Sequence, residues 1–153
     1  MSVNLDSDYD KIYRYCYFKV RQKEIAEDLT QETFLKYYSQ KREEKNEKTL
    51  AYLYTIAKHN CIDFFRKKTV ERLQEEPICE DVFEPVVNHL VLSQALEQLE
   101  PDISEMILLR FASDFTMKEI SAVFGISRFI VYRKINAGLK QLKQILQEDF
   151  SKK

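Results

Sequence analysis

Apolar residues recur every three or four positions through the first 70 residues, the spacing of amphipathic helices. In the first predicted helix, which follows possible capping oxygens in residues 6–8, this stripe consists of Ile12, Tyr15, Cys16 and Val20. The same spacing predicts a second helix over residues 22–40 and a third over residues 49–68. Residues 41–48 between them are almost all charged, so we expect a solvated loop there.

The pattern changes after the third predicted helix and then returns. Residues 69–87 combine acidic side chains with two prolines, so we expect a weakly packed linker. Two more helices follow and meet at Pro101, because the residue before a proline avoids the α conformation. Their apolar stripes are Leu92, Ala95, Leu96 and Leu99 in the first, and Ile103, Met106, Ile107 and Leu109 in the second.

The most informative pattern lies between residues 116 and 142. Thr116 and Glu119 have the spacing of a capping box, which opens a short helix. Gly125 can take the positive φ that a tight helix end requires, and Ser127 can cap the helix that follows. The inner face of that helix is predicted to comprise Val131, Ile135, Leu139 and Leu142. This succession predicts a helix-turn-helix.

The outer face of the second of these helices carries side chains suited to reading DNA in the major groove. They are Arg128, Phe129, Tyr132, Arg133 and Asn136, with Lys118, Lys134 and Lys140 suited to phosphates. The alternative is an ordinary helical hairpin with a solvated basic face. Two caps, a glycine turn and basic residues together favour DNA binding. The motif does not distinguish a repressor from any other reader of duplex DNA.

Composition favours helices, because glycine (2) and proline (3) are scarce among 153 residues and no alternating strand pattern stands out. We therefore expect an all-α fold of two small helical domains joined by the acidic linker. The net charge is −1, with two mildly basic ends around an acidic middle. Nucleic acid would have to be attracted by local basic faces rather than by the total charge.

Several classes of protein do not fit the sequence. No apolar run approaches a membrane span and the N-terminus is acidic and polar, so we expect a cytoplasmic protein without membrane insertion. Cys16, Cys61 and Cys79 are widely spaced, and neither His59 nor His89 lies at ligand spacing from another candidate, so we expect no metal and no cofactor. Because no catalytic pairing or phosphate loop is found, we expect no enzyme.

Two polar rows stand out in the N-terminal half, and the residues alone leave their roles open. A row on the second helix can be a solvated face or a docking surface for a basic partner helix. It comprises Asp28, Gln31, Glu32 and Lys36, beside Leu29 and Phe34. A row on the third helix suits unpaired bases and their backbone, but equally a solvated surface. It comprises Tyr52, Tyr54, Lys58, His59, Asn60, Asp63, Arg66, Lys67 and Lys68.

The order of these segments resembles the extracytoplasmic-function (ECF) sigma factors of bacterial RNA polymerase. Residues 26–35, AEDLTQETFL, resemble sigma region two. Residues 53–58, LYTIAK, and 62–67, IDFFRK, resemble the downstream part of that region. Residues 95–101, ALEQLEP, and residues 115–142 resemble region four. The likeness covers nearly the whole chain and implies a sigma factor that directs promoter-specific transcription initiation.

The resemblance also implies a role for each surface. Region two would occupy residues 1–68 and region four residues 88–153, with residues 69–87 threading the polymerase near the transcript exit. Residues 42–48 and the start of the third helix would hold a flipped minus-ten base. Polymerase docking would use Asp28, Gln31, Glu32 and Phe34. Minus-ten contacts would be Tyr52, Tyr54, Lys58, His59, Asn60, Asp63, Arg66 and Lys67. Minus-thirty-five contacts would be Lys118, Arg128, Phe129, Tyr132, Arg133, Asn136 and Lys140.

The implied partners are the beta and beta-prime subunits of core RNA polymerase, promoter DNA in duplex and melted form, and an anti-sigma protein.

The sequence departs from the family pattern at His59, where asparagine is common, and at Phe129 and Ile130, where small or polar residues are usual. Ala137 and Leu139 replace frequent arginines, so we expect a distinct minus-thirty-five sequence. The rival functions are a stand-alone helix-turn-helix regulator and a helical protein-binding adaptor.

Overall fold

The computed structural model describes residues 5–40, 48–72 and 84–151, and every regular element in these segments is an α-helix. In chain order the helices are α1 (Leu5–Val20), α2 (Lys23–Ser39), α3 (Thr49–Arg72), α4 (Glu84–Glu97), α5 (Pro101–Phe111), α6 (Met117–Phe124) and α7 (Arg128–Ser151). The expected all-α fold is confirmed. Residues 42–47 of the predicted base-holding loop, and Cys79, lie outside the described residues.

Helices α1, α2 and α3 pack on one another as an N-terminal bundle. Its core follows the predicted apolar stripes, since Ile12, Tyr15, Leu53 and Ala57 are almost fully buried. The turn between α1 and α2 is tight, and Arg21 takes a left-handed φ of 57° there to reverse the chain. The bundle therefore fixes which faces of α2 and α3 point towards solvent.

Helices α4 to α7 form a second helical unit around a core that includes Ile120, Val131 and Ile135. Gly138 on α7 lies where α5 crosses most closely. A Cβ at this position would overlap the side chains of Ile103 and Ile107, so only glycine fits without displacing them. This close crossing holds α7 against the rest of the unit and directs its other face outward.

Two helix ends lie inside the segment predicted to be a linker. α3 continues to Arg72, four residues beyond its predicted end, because residues 69–72 contain no glycine or proline to interrupt it. α4 begins at Glu84, and Pro85 occupies its first turn, where the missing proline N–H costs no hydrogen bond. The segment between these helices, residues 73–83, lies outside the described residues.

The two helical units are in direct contact. α3 packs against α6, the first helix of the helix-turn-helix. Ion pairs from α1 reinforce this contact: Lys11 lies 2.7 Å from Glu119 of α6, and Lys19 lies 3.2 Å from Glu105 of α5. The chain is therefore folded back on itself, with the N-terminal bundle against the start of the helix-turn-helix.

Candidate nucleic-acid interface

The helix-turn-helix forms as the sequence predicts. The backbone N–H of Thr116 donates to Glu119 Oε1 at 2.7 Å, and the N–H of Glu119 donates to Thr116 Oγ1 at 3.1 Å, which completes the capping box. Gly125 ends α6 with a φ of 66°. The N–H of Ile130 donates to Ser127 Oγ at 3.2 Å, so the second cap is also present. Together these bonds fix the angle at which α7 leaves the turn.

Helix α7 has a buried inner face, represented by Val131, and an exposed outer face. The exposed residues include all the predicted base readers, Arg128, Phe129, Tyr132, Arg133 and Asn136. Phe129 is 67% exposed, and the Arg133 guanidinium lies 5.8 Å from the centroid of its ring. Lys118 and Lys140, predicted to contact phosphates, are also exposed. A ring and several cations thus project from one helix face.

The predicted docking row lies on the outer surface of α2. Asp28, Gln31 and Glu32 are all exposed. Phe34 differs from them because it points into the bundle, where its ring centroid lies 5.5 Å from that of Tyr9. Three of the four predicted docking residues are therefore available to a partner, and Phe34 supports the helix that carries them.

Leu35 is an exposed residue of α2 that the sequence reasoning overlooked. Its side chain is 71% exposed, whereas Leu29, Phe34 and Tyr37 of the same helix are buried. It follows Asp28 by seven positions and Glu32 by three, so it lies on the same helix face. That spacing was the signal that could have identified it. The docking row is therefore an acidic surface with an apolar residue at its C-terminal end.

The predicted minus-ten residues of α3 divide between surface and interior. Those that are exposed or half-buried are Tyr52, Lys58, His59, Asp63, Arg66 and Lys67. Asn60 is buried: its Nδ2 donates to Thr33 Oγ1 at 3.1 Å, and its Oδ1 accepts from Lys36 Nζ at 2.8 Å. Asn60 thus joins α2 to α3 and faces away from solvent in this conformation.

Tyr54 lies at the contact between the two helical units and is only 4% exposed. Its hydroxyl donates to Glu105 Oε1 at 2.6 Å, and the hydroxyl of Tyr15 donates to the same oxygen at 2.7 Å. Lys19 Nζ lies 3.2 Å from the other oxygen, Glu105 Oε2. Phe115 packs edge-on against the Tyr54 ring, with centroids 6.4 Å apart. Tyr54 is therefore withheld from solvent while the units touch.

The electrostatics of this cluster favour an ionised Glu105. Burial raises the pKa of its carboxyl, but the Lys19 ammonium and the hydroxyls of Tyr54 and Tyr15 together lower it more, so the net pKa is below its ordinary value. Burial, followed by the negative charge of Glu105, raises the pKa of both tyrosines. The cluster therefore holds one carboxylate between one ammonium and two phenol donors.

Other kinds of site find little support in residues 5–40, 48–72 and 84–151. No group of three or more histidine, cysteine or acidic side chains in these segments is placed to hold a metal ion. Cys16 and Cys61 are free thiols buried in the N-terminal bundle. None of the described helices combines the length and apolar character needed to cross a bilayer.

Comparison with known proteins places both helical units in one family. A family model for Sigma-70 region 2 matches residues 5–70, and one for Sigma-70 region 4 matches residues 89–142. The chain is 28% identical over 144 residues to the RNA polymerase sigma factor SigV of Bacillus subtilis, covering 91% of this chain and 87% of SigV. It is 27% identical over 166 residues to the ECF RNA polymerase sigma factor BldN of Streptomyces coelicolor, covering 94% of this chain but 59% of BldN.

The fold is similar to that of the sigma factor RpoE from Bartonella quintana, solved in complex with the anti-sigma factor NepR. The TM-score is 0.58 at 22% identity, with 92% of each chain covered. The two family matches coincide with the N-terminal bundle and the helix-turn-helix unit, and together they span most of the chain. The chain therefore belongs to the ECF sigma factors, the family of Sigma-70 type proteins that direct promoter-specific transcription initiation.

Proposed function

We propose that this chain directs core RNA polymerase to promoters through three separate surfaces, and that it acts in the cytoplasm by binding rather than by catalysis. Residues 1–68 dock on polymerase and hold the melted minus-ten strand, residues 88–153 read the minus-thirty-five duplex, and residues 69–87 link them. The observation that carries the proposal is the exposed outer face of α7, whose orientation is fixed by two caps and a glycine turn.

The minus-thirty-five duplex is assigned to the outer face of α7. Arg128 and Arg133 can donate to guanine or to phosphate, and Phe129 can contact thymine methyl groups. A good bidentate contact discriminates against the wrong base by about 1–3 kcal/mol. Lys118 and Lys140 are exposed on either side of these residues, where a phosphate backbone would pass. Base contacts thus supply the sequence preference, and the lysines anchor the helix-turn-helix to the phosphate backbone.

The melted minus-ten strand is assigned to the exposed face of α3. Tyr52 offers a ring on which an unpaired base can stack, and Lys58, Arg66 and Lys67 can follow the strand backbone. Extruding a base costs a few kcal/mol, and stacking on an aromatic ring returns about 1–3 kcal/mol. Because the two terms are of similar size, promoter opening should depend on the base sequence at this face.

Polymerase docking is assigned to the α2 row together with Leu35 at its C-terminal end. An exposed leucine that follows Asp28 and Glu32 on one helix face fits a partner helix that carries both basic and apolar residues. We propose the coiled coil of the beta-prime subunit as this partner, with the beta subunit contacted elsewhere in the holoenzyme. The row faces away from the bundle core, so docking requires no rearrangement of α2.

Regulation by an anti-sigma protein is also proposed. The RpoE structure with a similar fold was solved with the anti-sigma factor NepR. In this chain a cleft of about 620 Å³ lies between the two helical units, lined in part by Phe18, Ile62, Phe65 and Leu96. Ile62 and Phe65 are both exposed. An apolar partner helix could enter this cleft and hold both units at once.

Run-off transcription tests the proposal. Core polymerase mixed with this chain should start at defined promoters on DNA from its own genomic neighbourhood, and core alone should not. A stand-alone regulator would instead bind an operator tightly without polymerase. A protein-binding adaptor would be unaffected by Arg128→Ala and Arg133→Ala. If polymerase gains no start-site selectivity from the chain, the proposed function is refuted.

A further inference from the structure

One row of exposed side chains runs along the middle of the outer face of α7. The row comprises Phe129, Arg133, Asn136 and Lys140. Its members follow one another at spacings of four, three and four residues, so they share one side of the helix, whereas Val131 and Ile135 on the other side are buried. Because the N-terminal part of a recognition helix meets the base edges, Phe129 and Arg133 are the members of the row best placed to contact bases.

The N-terminal turn of this face is hydrophobic. Phe129, Ile130 and Tyr132 are all exposed, so three large hydrophobic side chains meet solvent within four consecutive positions. The N–H of Ile130 donates to Ser127 Oγ, which fixes the backbone that carries the Phe129 ring. An exposed hydrophobic patch of this kind marks a binding surface. The apolar group that base pairs present in the major groove is the 5-methyl group of thymine, so this is the group that the ring suits.

The Arg133 side chain lies beside the Phe129 ring. Its guanidinium carbon is 5.8 Å from the ring centroid, within the range of a cation–π contact. A guanidinium that is already held in place loses less side-chain freedom on binding, and its paired N–H donors match O6 and N7 of guanine. Because successive base pairs lie about 3.4 Å apart along the duplex, two groups at this separation reach base pairs one or two steps from each other.

We propose that Phe129 determines the minus-thirty-five specificity of this chain: its ring contacts the methyl group of a thymine and positions Arg133 to read a guanine one or two base pairs away. This inference deepens the proposed function and rests on it, because it names the bases that the outer face of α7 selects. The ring has two separable effects, an apolar contact of its own and the orientation of a neighbouring cation. Each effect is measured by changing a single group of the DNA.

Deoxyuridine substitution measures the methyl contact. Duplexes that the holoenzyme selects from a pool randomised over the minus-thirty-five element should contain a thymine and a guanine within two base pairs of each other. Replacing each thymine in turn by deoxyuridine removes its methyl group and keeps the base pairing. One of these replacements should weaken binding roughly fourfold in a competition mobility-shift assay, which is the effect of burying one methyl-sized group.

Substitution of Phe129 should remove this preference for thymine over uracil. Phe129→Ala should bind both duplexes equally, whereas Phe129→Tyr keeps the ring and should retain the preference. The matched control is Phe111→Ala, at another exposed phenylalanine of the same helical unit that lies outside α7, and it should also retain the preference. Because both side chains are exposed, the variants should fold as the wild type does, which circular dichroism checks.

A deazaguanine in which C–H replaces N7 tests the positioning of Arg133. At the guanine near the sensitive thymine, this analogue should weaken binding of the wild type roughly tenfold, because a hydrogen bond to a charged group is lost. It should leave binding of Arg133→Ala unchanged. Phe129→Ala should show an intermediate loss and Phe129→Tyr the full one. A ring that only stabilised the fold would not alter this sensitivity.

The possible failures are distinguishable. A selected element without thymine, or a preference for thymine that persists in Phe129→Ala, overturns the methyl contact. A sensitivity to deazaguanine that is unchanged in Phe129→Ala overturns the positioning of Arg133. A holoenzyme that selects no sequence at all refutes the proposed function and the inference with it, whereas an element that is selected but indifferent to both analogues refutes the inference alone.

Discussion

The two surfaces proposed to bind nucleic acid in this sigma factor are built by different kinds of interaction. The reading face of α7 is set by bonds between near neighbours, the capping box at Thr116, the turn at Gly125 and the cap at Ser127. The strand-binding face of α3 depends on distant partners, since Asn60 binds residues of α2 and Tyr54 binds α5. A surface built locally is present whenever its segment folds, whereas a surface built at long range depends on how the units pack.

This contrast fits the two DNA targets. Duplex DNA offers its major groove before initiation begins, so a preformed helix face can read it at the first encounter. Unpaired bases exist only after the promoter has opened, so the proposed strand-binding face of α3 is not needed before that step.

The largest expected effect is on DNA binding by the exposed outer face of α7. Arg133→Ala should weaken binding of the holoenzyme to minus-thirty-five duplex by about 1–3 kcal/mol, because the side chain is exposed and positioned to contact a base or a phosphate. Electrophoretic mobility shift measures this loss. Lys143→Ala, at another exposed cation of α7, is the matched control and should have a much smaller effect. Equal effects would mean that α7 attracts DNA by charge alone.

Neighbouring substitutions on α3 should have unequal effects on stability. Asn60→Ala should lower the free energy of unfolding by about 1–3 kcal/mol, because Lys36 and Thr33 lose a buried partner. His59→Ala, at the adjacent exposed position, should change it by less than about 0.5 kcal/mol. Urea unfolding monitored by circular dichroism gives both values. Comparable losses would contradict the division of α3 into an inner and an outer face.

The smallest expected effect is a pH dependence of the free energy of unfolding that comes from Glu105. Because the pKa of Glu105 is lowered in the folded chain, its carboxylate stabilises the fold above its ordinary pKa of about 4.3, and this stabilisation is lost as the pH falls through the lowered value. Tyr15 and Tyr54 stay protonated throughout, since their pKa values are raised, and Lys19 supplies the facing cation.

The measurement is the difference in unfolding free energy between the wild type and Glu105→Gln. This difference should shrink as the pH falls below about 4.3, because Glu105 is then protonated in the unfolded chain and the stabilisation from its charge in the folded chain is progressively lost. Using the difference removes the contribution of other carboxylates that titrate in the same range. A difference that is constant over this range would show that the charge of Glu105 contributes nothing to the contact.

The sequence predicted the local features well and the long-range ones poorly, for a physical reason. The capping box at Thr116 and the turn at Gly125 could be predicted because their partners lie within a few positions. The hydrogen bond from Tyr54 to Glu105 could not, because Glu105 is 51 positions away and the two residues meet only through the packing of two helical units. Helical spacing does place Tyr54, four positions after Leu50 and three before Ala57, on the buried face of α3, and it leaves Tyr52 off that face.

Two other features of the structure that the predictions did not include could in principle have been inferred from the sequence. Leu35 lies at helical spacing from the acidic row of α2, so its exposure could have been inferred from the face that it shares. The extension of α3 to Arg72 follows from the absence of a breaker before Pro77. The inward position of Phe34 also follows from helical spacing, since it lies three positions before the buried Tyr37, and only its contact with the ring of Tyr9 depends on another helix.

The central claim is that α3 binds the melted strand and α7 reads the duplex. Its most direct test compares two footprints on one promoter bound by the holoenzyme. His59→Ala should lower permanganate reactivity of minus-ten thymines while the minus-thirty-five footprint persists, because the first reports strand opening and the second duplex reading. Arg133→Ala should weaken the minus-thirty-five footprint first, and saturating holoenzyme should restore opening. If His59→Ala weakened both signals to the same extent, one surface would be serving both tasks and the account would be contradicted.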